Sequence, residues 1–320
     1  KLIADRSSPE VLYMNALVTG GAGFIGSNLV RLLLDRGHSV TVLDNLSSGY
    51  RFNIDGLPIR FVEGDVRNPD AVADAIEGCD TVFHLAASVG NTRSIVNPIE
   101  DSEVNVLGTL RVLEAARAVK ARKVVFSSSA GIFGELKTLP IREDHPVEPD
   151  SPYGASKLCA EKLCLAYSKL HGLETMCLRY FNVYGVNQRY DAYGNVIPIF
   201  AHRMFAGEPV VIFGDGEQTR DLVNVGDVAE ANYRASQAAG AWGAFNIASG
   251  TRVTINALAD MMCEVSGVKA VIQHGPPRPG DVRHSLADIS SAHEVFGYAP
   301  SVDLRPGLTE YLAWAKDAGV

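Results

Sequence analysis

Residues 19–27 read Thr-Gly-Gly-Ala-Gly-Phe-Ile-Gly-Ser, directly after a short apolar run at 16–18. Gly21, Gly23 and Gly26 fit G-x-G-x-x-G between an expected strand and an expected helix, the context in which that spacing carries meaning. Glycines there let the main chain approach a pyrophosphate, while the opening helix offers unpaired N–H groups and the positive end of its dipole. A chain with such a turn is committed to a strand-helix-strand unit and a parallel sheet.

The rest of the first half keeps that rhythm. β-Branched runs at 16–19, 39–44, 59–63, 81–85, 123–127 and 174–179 alternate with helical periodicity at 24–36, near Ala71, at about 99–119 and from Tyr153 onward. The continuous apolar character of the strands fits a sheet covered on both faces. After Asn182 the pattern changes to an irregular stretch, a helix near 200–206, a strand at 210–213, and loops at 214–221 and 275–281. Strand-helix-strand patterning then resumes at 222–239 and 244–247. The expected architecture is α/β: a Rossmann-type doubly wound parallel sheet over 14–182, revisited around 222–250, with a smaller α/β substrate lobe over 183–320. Met14 reads as a natural start, and residues 1–13 as an N-terminal extension outside the fold.

Composition narrows the function classes. With 29 basic and 37 acidic residues, the net charge of -8 repels a nucleic-acid backbone, although local arginines can still hold a small anion. Five cysteines without C-x-x-C spacing give neither a disulfide framework nor a zinc site, and they read as reduced core thiols; no metal is expected. No run of about 18 apolar residues is present, so no membrane partner is expected and the chain reads as cytoplasmic.

Asp44 closes the second expected strand, where a carboxylate binds both adenosine ribose hydroxyls and repels a 2′-phosphate, which favours NAD over NADP. Asp65, in Gly-Asp-Val, is placed to reach the adenine amine, and Leu85, Ala86 and Ala87 end a strand with small residues where a flat cofactor must pass. The expected cofactor contacts also include Gly20, Gly23, Phe24, Ile25 and Gly26 in the turn, Asn45, Ser47 and Gly49 after Asp44, Val66 after Asp65, and Ser127. His84 reads as a satisfied strand-end histidine.

Tyr153 and Lys157 are four residues apart on an expected helix and so share a face. A free phenol titrates near pH 10, so a neighbouring ammonium and a positive nicotinamide are expected to lower its pKa toward general-base use. Ser127, Ser128 and Ser129 end the preceding strand and can share a substrate proton.

Taken together, these residues resemble the extended short-chain dehydrogenase/reductases, and within them the nucleotide-sugar 4-epimerases. The likeness runs from Asn15 almost to the C-terminus. It is most specific in 19–27, 124–134, 152–157, 179–182 and 278–285. It implies that Tyr153 is the base, that Lys157 orients the nicotinamide ribose, that Ser129 bonds the sugar 4-hydroxyl, and that Asn105 and Phe181 line the cofactor site. Dehydratases of this family carry an Asp-Glu pair just after the serine, and decarboxylases a glutamate in the same segment. This chain has Ala130-Gly131, and Phe133 where a Tyr is usual.

The same resemblance implies a UDP-sugar substrate. Arg220 and Arg278 would grip its diphosphate together with Asn182, Asn195 and Val196 would meet the base, Phe213 would stack near the uracil, and Asp281 would approach the ribose. Ser88, on a loop 88–94 facing the sugar, joins Ser129 there, and Arg93 pairs within that loop or meets a sugar carboxylate. Ser285 leaves room for an N-acetyl group at C2; pocket volume discriminates by only about 1–3 kcal/mol per group, so UDP-glucose/galactose and UDP-GlcNAc/GalNAc both fit. UDP-glucuronate 4-epimerisation and a non-catalytic NAD-binding protein are the alternatives. A homodimer through 99–119 and 153–170 is also implied, with Leu158 and Leu165 as either interface or internal core.

Overall fold

The computed structural model describes residues 12–191, 194–277 and 282–319. Seven strands form one parallel sheet. In chain order the first half runs β1 (Asn15–Thr19), α1 (Phe24–Asp35), β2 (Ser39–Asp44), β3 (Arg60–Glu63), α2 (Pro69–Ile76), β4 (Thr81–His84), α3 (Asn91–Val96), α4 (Pro98–Ser102), α5 (Thr109–Ala118), β5 (Lys123–Ser129), α6 (Pro152–His171) and β6 (Glu174–Tyr180). The second half runs β7 (Asn182–Tyr184), α7 (Val196–Ala206), β8 (Val210–Phe213), β9 (Thr219–Arg220), β10 (Leu222–Asn224), α8 (Val225–Gln237), β11 (Gly243–Ile247), β12 (Val253–Thr254), α9 (Ile255–Ser266), β13 (Ile272–Gly275), α10 (Ser290–Phe296) and α11 (Leu304–Asp317).

The large sheet has the order β11-β6-β5-β4-β1-β2-β3, with every neighbouring pair parallel. Its direction of growth reverses between β1 and β4, the kind of crevice in which open α/β sheets bind ligands. The strands bury both faces by simple alternation. Ala16, Val18, Val125, Met176 and Leu178 enter the core under α1, α8 and α10. Leu17, Val124, Phe126 and Cys177 enter the core under α2, α5 and α6. A third core joins α7, α9 and α11 with β8 and β10. After residue 183 the chain therefore touches the large sheet's core again, through α8, β11 and α10.

The single helix expected over 99–119 is divided. A π-helical turn at Glu103–Gly108 separates α4 from α5. Gly108 has no room for a side chain, because a Cβ there would lie 2.8 Å from Val66, and Thr109 Oγ1 donates to Asn105 O at 2.6 Å. The loop expected over 88–94 gives way to α3 from Asn91, and α7 begins at Val196 rather than near residue 200. The cysteines are free, but only Cys79, Cys164 and Cys177 are buried; Cys159 is exposed and Cys263 half-buried, which corrects the reading of all five as core thiols. Leu158 and Leu165 pack against internal clusters. Among the described residues no helix is long and apolar enough to cross a membrane, and no His, Cys, Asp and Glu cluster is built to hold a metal.

Candidate active site

Most of the cofactor residues expected from the sequence gather at the carboxyl ends of β1 to β4, with Asn105 in the π turn, Ser127 in β5, Tyr153 and Lys157 on α6 and Phe181 after β6. Gly20 takes a positive φ of 72°, and a Cβ on it would lie 2.7 Å from Ala86 N. A Cβ on Gly26 would lie 2.1 Å from Gly20 O, so helix and turn can close only on glycine. Gly23 precedes α1 with no side-chain cap, and no acidic residue occupies the first turn, where Phe24, Ile25 and Gly26 stand. That leaves a cradle for a pyrophosphate, and the residues present fit a dinucleotide.

Asp44 is buried at the end of β2, accepting from Ala22 N at 2.9 Å and Leu46 N at 2.8 Å. Burial raises its pKa and these bonds oppose the rise. Leu46 is held at φ 56°, a left-handed conformation uncommon for leucine, and a Cβ on Gly49 would lie 3.1 Å from Asp44 Oδ1. Ser47 N bonds Asn45 Oδ1 at 3.0 Å, so the segment after Asp44 is an ordered turn. Asp65 receives Arg67 Nε at 2.9 Å and Nη2 at 2.7 Å, with Asn45 Nδ2 at 2.8 Å; the Arg67 bonds hold its pKa down to about 2. Its carboxylate is thus an anchor for this corner, and the sequence reading had no place for Arg67. Val66 is buried in the core under α2 and α5.

Leu85 N donates to Thr19 O, and Ala86 N to Thr19 Oγ1 at 3.2 Å. Ala87 continues this segment toward Ser88. His84 is satisfied on both ring nitrogens, by Thr19 Oγ1 at 2.7 Å and Thr109 Oγ1 at 2.9 Å; burial, then the charge of Lys157, pushes its pKa down to about 3.

The proton-transfer residues meet where β5 ends beside α6. Ser151 caps α6 by accepting from Gly154 N at 3.1 Å, and Pro152 occupies the first turn, which fixes Tyr153 at the helix start. Ser129 is a hydrogen-bond partner of the Tyr153 hydroxyl, and its Oγ also accepts from Gly131 N at 3.1 Å. Lys157 is buried and donates from Nζ to Ser127 O at 2.7 Å, with the ammonium 4.9 Å from the centre of the Phe126 ring.

The expected lowering of the tyrosine pKa is corrected here. Burial pushes Tyr153 up to about 12; the Ser129 bond opposes that rise and the charge of Asp101 adds to it. Burial brings Lys157 down to about 8, with Asp101 opposing. The ammonium spends its shortest bond on a main-chain carbonyl, Ser127 O at 2.7 Å.

Two buried acids escaped the sequence reading. Glu161, on α6, accepts from Ser128 Oγ at 2.7 Å and forms a two-point ion pair with Arg179, at 3.0 and 2.8 Å. Asp101 accepts from Ser156 Oγ at 2.5 Å and lies 3.1 Å from Asn105 Nδ2. Asn105, expected on the cofactor side, holds both backbone groups of Ser88, at 2.9 and 3.0 Å. Phe181 packs its ring into an internal cluster with Ile132, Phe133 and Ile141.

The expected substrate residues come from short, separate elements. Asn182 Nδ2 donates to Asp221 O at 3.1 Å, Asn195 Nδ2 to Val183 O at 3.3 Å, and Val196 opens α7. Arg220 Nη1 donates to Val282 O at 2.7 Å, while Ser285 N donates to Thr219 O at 3.1 Å, so Arg220 and the buried Ser285 are brought together across β9. Phe213 ends β8, its carbonyl accepting from Gln218 Nε2 at 2.8 Å. Arg278 and Asp281 lie outside the described residues. Arg93 pairs with Asp191 rather than within its own segment.

The pattern of the NAD dependent epimerase/dehydratase family matches residues 16–248. A UDP-glucose 4-epimerase of Mycolicibacterium smegmatis is 40% identical over 310 residues, covering 95% of this chain and 99% of that one. The solved UDP-glucose 4-epimerase of Thermotoga maritima, with UDP-glucose, superposes with a TM-score of 0.91 at 37% identity, over 96% of this chain and all of that one. A UDP-N-acetylglucosamine 4-epimerase of Methanobrevibacter ruminantium, in complex with UDP-N-acetylmuramic acid, gives 0.92 at 35% identity over 96% and 99%.

Proposed function

The chain belongs to the NAD dependent epimerase/dehydratase family and is an NAD-dependent nucleotide-sugar 4-epimerase; from that premise we propose that it inverts C4 of UDP-hexoses, with or without an N-acetyl group at C2, by transient oxidation to a 4-keto sugar. The observation that carries this reading is the ground beside Tyr153. A Cβ on Gly131 would lie 3.3 Å from Ser129 Oγ and 3.7 Å from the Tyr153 ring. That is where a side chain after the serine would enter the site, and this chain supplies none, so no residue there can shuttle protons at C5 or C6. Chemistry at C4 alone is left.

NAD, when bound, supplies a hydride acceptor and donor at C4. The protein's own part is the proton: Tyr153 takes it from the 4-hydroxyl and later returns it, with Ser129 Oγ sharing the hydrogen bond. Lys157, tied to Ser127 O, orients the ribose. Arg220 and Arg278 grip the diphosphate with Asn182 while the keto sugar turns over, so binding energy sits on the part that does not react. The 14–182 segment and the return at 222–250 serve the cofactor, and the rest of 183–320 serves the nucleotide sugar.

A homodimer through 99–119 and 153–170 is part of the same reading. Ile99 and Leu107 are 75% and 50% exposed on the first of these, and Leu170 is 75% exposed at the end of α6. Leu158 and Leu165 are half-buried against internal clusters.

Incubation with the UDP conjugates of glucose, N-acetylglucosamine and glucuronate, followed by sugar analysis, tests the proposal. Conversion at C4 of the first two is expected. Turnover of glucuronate alone replaces the substrate assignment, and no turnover of any overturns it.

A further inference from the structure

Asp101 lies outside every residue assigned to substrate or cofactor, yet it is 1% exposed on α4, facing the helix that carries Tyr153 and Lys157. A carboxylate is seldom buried this deeply without several donors. Here Ser156 Oγ donates to one oxygen at 2.5 Å and Asn105 Nδ2 approaches the other at 3.1 Å. Ser156 lies between Tyr153 and Lys157, and its Oγ is also 3.0 Å from Tyr153 O. Asn105 sits in the π-helical turn and clamps Ser88 through both of that residue's backbone groups. One carboxylate therefore links α4, the π turn, the start of α6 and the segment after β4.

We propose that Asp101 is a positioning residue for proton transfer: through Ser156 and Asn105 it locks the start of α6 and the Ser88 segment in register, so that Tyr153 and Ser129 face the same reacting hydroxyl. The π turn fits this role. It carries the Asn105 amide at the point where Asp101, Ser156 and Ser88 meet, and such turns recur at functional sites.

The charge of Asp101 acts along with its bonds. It favours the ammonium of Lys157 and disfavours the phenolate of Tyr153, the two groups of α6 that it faces. Around that pair, His84 from β4 is held neutral and Cys164 from α6 is buried. The charged groups on neighbouring elements are engaged elsewhere: Arg93 of α3 with Asp191, and Glu103 of the π turn with Arg67. Asp101 is accordingly the acid that sets the balance between the two.

This proposal rests on Tyr153 as the base, and the test separates the two claims. Asp101→Asn keeps the shape and removes the charge. Its kcat is expected to fall about tenfold or more with KM changed less than about threefold. Both limbs of the kcat–pH profile should move to lower pH by about half a unit or more, because losing the anion lowers the pKa of the phenol and of the ammonium alike. A tyrosinate difference titration of the NAD-bound protein, against Tyr153→Phe, should move the same way. Ser156→Ala, which removes the bridge and keeps the carboxylate, should lower kcat without moving the limbs. If Tyr153→Phe is inactive while Asp101→Asn keeps kcat within about twofold and both limbs unmoved, the positioning role is overturned and the base assignment stands. If Tyr153→Phe remains active, both fall. Should Asp101→Asn fail to fold, a kcat within about twofold of wild type for Ser156→Ala overturns the proposal.

Discussion

The end of β5 with the start of α6, and the lobe beyond residue 183, take part in one reaction but are built differently. In the first, a short stretch of strand and helix presents Ser129, Tyr153 and Lys157, and buried side chains brace it from behind: Asp101 with Ser156 and Asn105, Glu161 with Ser128 and Arg179. In the second, Asn195, Phe213, Arg220 and Ser285, with Asn182 at its border, come from separate short segments, the strands β7 to β9 and the start of α7 among them. Asn182, Asn195 and Arg220 each donate to a main-chain carbonyl. Chemistry at a single bond needs fixed geometry, which a braced helix start supplies. A nucleotide whose sugar must swing needs several grips at a distance, which short elements supply. On the proposed function, rate belongs to the first region and substrate choice to the second.

The sharpest way to break this division is Tyr153→Phe, which should lower kcat by about 100- to 10,000-fold with little change in KM. A comparable fall in affinity would show that the two roles are mixed. Next, Arg220→Ala should raise KM for a UDP-sugar by about tenfold or more while kcat stays within about threefold. Steady-state kinetics on the same preparation read both. The smallest effect expected is on choice: Ser285→Tyr should reduce kcat/KM for the N-acetylhexosamine conjugate by about tenfold relative to the hexose. An equal loss on both substrates would place Ser285 outside the sugar pocket.

Local signals made the cofactor turn and the start of α6 legible. A glycine turn between strand and helix, an acid at the next strand end and a Tyr-Lys pair one helical turn apart each depend on residues close in sequence. What escaped depends on distance and burial. Asp101 meets Ser156 across 55 positions, Arg93 meets Asp191 across 98, and Arg179 meets Glu161 across 18. Nothing in a local pattern announces those partners. The direction of the Tyr153 pKa also escaped, because a phenol and an ammonium on one face say nothing about how much water either has lost. The π turn escaped as well: Gly108 within it lies against Val66, 42 positions away, where a Cβ would come within 2.8 Å.

The central claim is that hydride leaves C4 and returns to C4 of the same sugar while only the hydroxyl proton is handled by Tyr153. UDP-glucose carrying deuterium at C4, incubated with the protein in ordinary water, tests it directly. The account predicts UDP-galactose that keeps its deuterium at C4. Galactose formed with that label lost to solvent, or no 4-epimer at all, would contradict it.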